Sequence, residues 1–170
     1  MKLDRPFWQC VVTYWLPVFL WMALIFFMSS QPKANMPHHP NNLLDWPLKK
    51  SAHILEYGIL AILVWRATSS STGTTAKRSQ AKLQFWLIPL ICVLYAATDE
   101  YHQAFVNGRS SSVLDVFIDG LGVSIALAGI SLILRWRAKR PSQFFVHPWL
   151  DHFFDGFLPL RPMAQDNVSE

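Results

Sequence analysis

Four stretches of this chain carry almost no charge, and their lengths limit what it can fold into. No residue from Pro6 to Pro32 is charged. From Ser51 to Trp65 only Glu56 is, with His53 beside it. Leu83 to Thr98 is uncharged, and Ser110 to Leu134 holds only Asp115 and Asp119. Crossing a bilayer takes roughly 20 mostly apolar residues, within a range of about 17–25. Runs one and four qualify outright. Runs two and three need their polar flanks inside the helix. Four such runs in 170 residues that are 52% hydrophobic and 15% charged leave too little polar surface for a soluble domain. The expectation is an all-α, polytopic membrane protein with four transmembrane helices. It divides into a four-helix domain over residues 1–140 and an aromatic, amphipathic tail over 141–170.

The net charge of +4 could suggest nucleic acid, but the basic residues are placed against that. Lys2 and Arg5 precede run one. Arg66, Lys77, Arg78 and Lys82 separate runs two and three. Arg135, Arg137, Lys139 and Arg140 follow run four. Those positions are alternate sides of a four-span protein, and with Arg161 they hold eleven of the fifteen Lys and Arg. The positive-inside rule puts that side, with both termini, in the cytoplasm. The protein is expected in the cytoplasmic (inner) membrane, with membrane lipids and not nucleic acid as its partner. Run one follows Lys2 and Arg5 as a signal peptide would, but it is too long and lacks a clear small-x-small site, so it reads as an uncleaved span.

Local signals set the boundaries. Span one runs from about Trp8 to Met28 with a kink expected at Pro17. Span two, about Leu48 to Trp65, has Pro47 at its start, where a missing N–H is harmless. Ala67 to Gln80 reads as a flexible linker. Span three runs from about Leu83 to Tyr101, and Asn107-Gly108 signals a turn. Ser112 with Asp115 fits a weak capping box for span four. Gly120, Gly122 and Gly129 offer small faces for close helix approach. Cys10 and Cys92 fall at different depths, so no disulfide is expected. In the tail, Phe145, Trp149, Phe153 and Phe157 recur every four residues beside a basic cluster, as in a helix lying in the inner interface. The adjacent His38 and His39 read as solvated. His147, Asp151, His152 and Asp155 read as the polar face of the tail helix.

Polar residues inside or beside a span are costly and face a bundle interior or cavity. Here they coincide at one depth. Span two begins outside, span three ends outside and span four begins outside, so His53, Glu56, Asp99, Glu100, Gln103, Arg109, Asp115 and Asp119 all fall near the outer surface. His53 and Glu56 share a helix face, as do Asp115 and Asp119. Glu56, Asp115 and Asp119 sit in first turns, where the helix dipole favours anions; Asp99 and Glu100 sit in a last turn, where it does not. Asp99 and Glu100 therefore need a partner, and Arg109 is the nearest candidate for a two-hydrogen-bond clamp. Asp99 and Asp119 are expected at the edge of one outward-opening polar pocket, the others within it.

Three readings stay open. The cluster is an ion-pair network pinning helices together, a binding or transport site for a polar ligand or cation, or a catalytic site with His53 or a carboxylate as general base. The carboxylate count would suit a divalent metal, but no spacing here is specific to one. No Gly-rich phosphate loop, nucleophile elbow or HExxH motif is present, so the sequence specifies neither a metal nor any cofactor, and no residue is assigned as catalytic.

Several segments together resemble the VanZ-like family of small bacterial membrane proteins. They are Met28-Ser29-Ser30-Gln31-Pro32, Lys50-Ser51-Ala52-His53-Ile54-Leu55-Glu56-Tyr57-Gly58-Ile59-Leu60, Asp99-Glu100-Tyr101-His102-Gln103-Ala104-Phe105, Arg109, and Asp115-Val116-Phe117-Ile118-Asp119-Gly120-Leu121-Gly122. The linked pattern H-x-x-E-Y, E-x-x-Q, R and D is fairly specific, and the resemblance covers roughly residues 10 to 134. This chain departs from the family pattern at Asp119, where Asn is frequent. The resemblance implies a multi-span cell-envelope protein. The founding member is associated with low-level resistance to the glycopeptide teicoplanin. A lipid-linked or other envelope ligand at the outer leaflet fits that setting. The alternatives are an enzyme on such a substrate, or a transporter of a small polar solute or cation.

Overall fold

The computed structural model describes residues 7–32, 42–70, 77–109 and 111–139. Its elements are a short α1 (Phe7–Cys10), a π-helical turn (Val11–Trp15), α2 (Leu16–Ser29), α3 (Asn42–Ser70), α4 (Lys77–Gln103) and α5 (Val113–Lys139). Among the described residues there is no strand. The aromatic tail, His38, His39 and the tail histidines lie outside the described residues.

The wide π turn ends two residues before Pro17. Proline has no N–H to donate, and its ring crowds the carbonyl four residues back. A wider turn there accommodates both. Pro47 is not at the start of its helix, as expected, but six residues in, because α3 begins at Asn42. The Ser/Thr-rich linker also starts later. Thr68 donates its hydroxyl to the carbonyls of Val64 (2.9 Å) and Trp65 (3.0 Å), so α3 keeps this polar residue in its last turns. With α4 starting at Lys77, residues 77–80 are helical as well, and the rest of the expected linker lies outside the described residues.

α3 packs most extensively on α5, and more lightly on α4 and α2. The reason lies in two glycines. A Cβ on Gly58 would already touch the Gly122 carbonyl at 3.4 Å. A Cβ on Gly122 would stand 2.9 Å from Ile54 Cα and closer still to its carbonyl oxygen. Backbone therefore rests on backbone at this crossing, which small residues allow. The expected small faces at the other two glycines do not serve this purpose. Gly120 meets only Val93 at an ordinary distance, and Gly129 faces open space.

Below the crossing the interior is apolar. Tyr57, Leu60, Ala61 and Val64 of α3 pack with Ile88, Cys92 and Ala96 of α4 and with Val123 and Ile130 of α5. Cys92 is a buried free thiol. α2 closes one side through two polar clasps. Trp21 Nε1 donates to the Glu56 carbonyl at 2.9 Å, and Tyr95 donates its hydroxyl to the Met22 carbonyl at 2.6 Å.

Large apolar side chains lie on the outside and polar ones within. Phe19, Leu20, Leu90, Leu94, Phe117, Leu121, Ile125 and Leu132 are exposed, while His53, Asp99, Glu100, Gln103, Asp115 and Asp119 are buried. Two helical stretches, Val11–Ser29 and Val113–Trp136, are long and apolar enough to cross a membrane, and little of each is buried. They are the first and fourth runs, the two expected to qualify unaided.

Candidate functional site

The buried polar residues gather where α2 and α4 finish and α5 begins, alongside α3 about three turns after its start at Asn42, so Glu56 does not sit in a first turn as expected. The Gly122 crossing makes this possible. It brings α3 and α5 close enough that His53 Nδ1 and Asp119 Oδ1 lie 3.0 Å apart. Both side chains are almost wholly buried. With Nδ1 engaged, Nε2 is the ring atom left to work on anything else.

Asp115 stands one turn before Asp119. Its carboxylate accepts from Lys50 of α3 and lies 3.7 Å from Lys49. The weak capping box is therefore not formed as expected. Ser112 does cap the helix, its hydroxyl accepting the Leu114 N–H at 3.2 Å. Asp115, however, is turned to the lysines of α3 and not back to the cap.

Glu100 ends α4 but is compensated across the loop. Its Oε2 accepts the Ser112 backbone N–H at 2.9 Å, so it sits at the positive N-terminus of α5 while lying at the negative end of its own helix. Its Oε1 is buried with no hydrogen-bond partner. Asp99 accepts from the Ser29 hydroxyl at 2.5 Å and from the Gln103 amide at 3.0 Å. Both Asp99 and Asp119 thus lie inside the cluster and not at its edge.

Arg109 does not clamp a carboxylate as expected. It donates to the carbonyls of Met28 (2.9 Å) and Gln31 (3.2 Å) and, at 3.4 Å, to Gln103 Oε1. A cation at the exposed carbonyls of a helix C-terminus is favourable, and here it ties the 104–112 loop to the end of α2. Gly108, with φ at 75°, makes the turn that aims it, at the Asn107-Gly108 position expected to turn. Glu56 is half-buried among charges, with His53, Asp119, Asp99 and Arg109 as its electrostatic neighbours.

All eight expected site residues are brought together. The arrangement has two centres, His53–Asp119 with Asp115 and Glu100, and Ser29–Asp99–Gln103–Arg109. Four participants were not singled out from the sequence: Ser29, Lys49, Lys50 and Tyr57. Tyr57 is fully buried, its hydroxyl without a hydrogen-bond partner and its electrostatic neighbours including Asp99 and Asp119. Ser29, Lys50 and Tyr57 stand inside the segments that carry the family resemblance, which is the signal that could have marked them.

Fold and cluster define an all-helical protein with two membrane-length helices and ionisable side chains buried at one end of its bundle. The model of the VanZ/LLP1 family matches residues 14–135, and the chain belongs to this VanZ-like family. No curated protein and no solved structure matches the chain. The two candidate membrane helices and the family match together point to a membrane protein.

Proposed function

We propose that this is a multi-pass cell-envelope protein whose polar cluster engages the polar head of a lipid-linked or other envelope molecule, with an effect on teicoplanin susceptibility. The observation that carries this reading is Glu100, 4% exposed, with one carboxylate oxygen unpartnered. A network built only to hold helices together gains most when every buried acceptor is satisfied, and a spare acceptor beside a His–Asp pair suits a ligand. In this reading all four helical runs cross the membrane, both termini are cytoplasmic and the cluster opens outward. The membrane lipids are its immediate partners. A cysteine placed at Gly73 should then be shielded from impermeant reagents in intact cells; labelling from outside overturns the topology.

The His53–Asp119 pair supports a second reading, catalysis. A carboxylate on Nδ1 orients the ring and leaves Nε2 as a general base. The two readings part on chemistry, since incubation with labelled lipid-linked precursors yields a new product only from an enzyme.

The test of the main reading sets folded yield against teicoplanin susceptibility. Glu100→Gln should insert and fold at the wild-type level and behave as a deletion of the whole protein. If deletion leaves susceptibility unchanged, the link to teicoplanin fails. If Glu100→Gln keeps the wild-type phenotype, the ligand role of the cluster fails.

A further inference from the structure

We infer that His53, Glu100 and Asp115 form a binding site for one divalent cation of the Mn²⁺ or Zn²⁺ kind. The inference deepens the reading of this cluster as a ligand site. Each of the three offers one donor atom, and these atoms lie within 4.8 Å of one another on three different helices. All three residues are buried.

Three further observations favour a cation. The first is the unpartnered Oε1 of Glu100, a buried acceptor on one of the three donors. The second is Asp119. Metal-bound imidazoles commonly engage a carboxylate through the nitrogen that does not bind the metal, which fixes ring orientation and tautomer. Asp119 holds Nδ1 in this way at 3.0 Å, which leaves Nε2 for a metal. The third is charge. Glu56, Asp99, Glu100, Asp115 and Asp119 face Lys49, Lys50 and Arg109, five acidic groups to three basic ones. A cation there offsets the surplus of acidic groups. One imidazole with two carboxylates suits Mn²⁺ and Zn²⁺, and three protein donors leave open positions for water or a ligand oxygen.

Lys50 is the competitor. Its ammonium donates to Asp115 and places a positive charge where the ion's charge would act. Binding exchanges this ammonium for the metal, so the three donors draw together as Lys50 withdraws. This makes a prediction with opposite signs on neighbouring residues. Loss of a donor weakens binding, whereas loss of the Lys50 charge strengthens it.

The experiment uses the full chain in lipid nanodiscs, stripped with a chelator. Mn²⁺ is titrated and the free ion is followed by its six-line paramagnetic resonance spectrum; Zn²⁺ is then used to compete. The expected result is one saturable Mn²⁺ per chain, displaced by Zn²⁺. His53→Gln and Glu100→Gln should each weaken binding at least tenfold, and Lys50→Gln should tighten it severalfold. Lys50→Gln guards against the donor variants failing to fold, since only a folded site can gain affinity. No saturable Mn²⁺ on wild-type protein, or the same affinity in all four proteins, overturns the inference. The envelope reading is judged apart. Susceptibility that depends on Glu100 without metal uptake leaves that reading standing and removes the metal; uptake without any susceptibility effect does the reverse.

Discussion

α3 and α5 touch along most of their lengths, yet they meet in two different ways. Near their N-terminal ends they meet through His53, Asp115 and Asp119, with Lys49 and Lys50 alongside. Beyond the Gly58–Gly122 crossing they meet through Leu60, Ala61 and Val64 against Val123 and Ile130. The apolar end needs only shape, because any well-packed hydrocarbon satisfies it. The polar end needs partners with direction, and beside it Glu100 of α4 keeps an unsatisfied oxygen. A contact that needs only shape and one that needs directed partners can therefore be told apart along one helix pair.

The sharpest way to break this contrast is at Asp119. Asp119→Leu removes the acceptor from a buried imidazole, and breaking a buried pair costs about 3–5 kcal/mol. Asp119→Asn keeps an acceptor for His53 Nδ1 and should recover most of the folded yield. Thermal unfolding of the detergent-solubilised proteins checks the pair; equal losses in both variants would show that the hydrogen bond is not what matters.

Next in size is a cavity at the apolar end. Leu60→Ala should cost about 2 kcal/mol, the low end of the usual range for such truncations, because a lipid surround weakens the water-transfer part of the penalty. It should leave the phenotype unchanged once protein amount is matched.

Overpacking the crossing comes third. Gly122→Ala drives a Cβ into the Ile54 backbone, with an expected cost of about 1–3 kcal/mol. It should also separate His53 from Asp119 and so impair both ends at once. Gly129→Ala, which meets nothing, should stay within about 0.5 kcal/mol of wild type. If the two glycine variants unfold at the same temperature, the crossing does not set the helix spacing.

The smallest effect on stability is expected at Glu100, where it sharpens the comparison most. Glu100→Gln keeps an oxygen for the Ser112 N–H, so melting should shift little while the phenotype is lost. A melting loss as large as that of Asp119→Leu would return Glu100 to the scaffold.

Much of this was legible in the residues. The four runs announced the four long helical rods, since apolar length needs no tertiary information. Helical spacing and shared depth pointed to the eight polar residues, because buried charge has few places to go. Pairing was not legible. Arg109 was expected on a carboxylate and lies on the end of α2; Asp115 was expected in a cap and lies on Lys50; Glu100 was expected to need Arg109 and lies on the start of α5. Each choice depends on which elements from distant parts of the chain arrive at the same place, and spacing along one helix says nothing about that.

Composition and periodicity thus determined where the main helical runs lie, which two are long and apolar enough to cross a membrane unaided and which ionisable residues must hide. Tertiary structure decided who partners whom, which glycine has backbone packed against it and which buried polar atoms are left without a partner. Hydrophobicity acts on each residue by itself and can be read in order along the chain. Hydrogen bonds act within about 3 Å, and only the packed helices set distances that small.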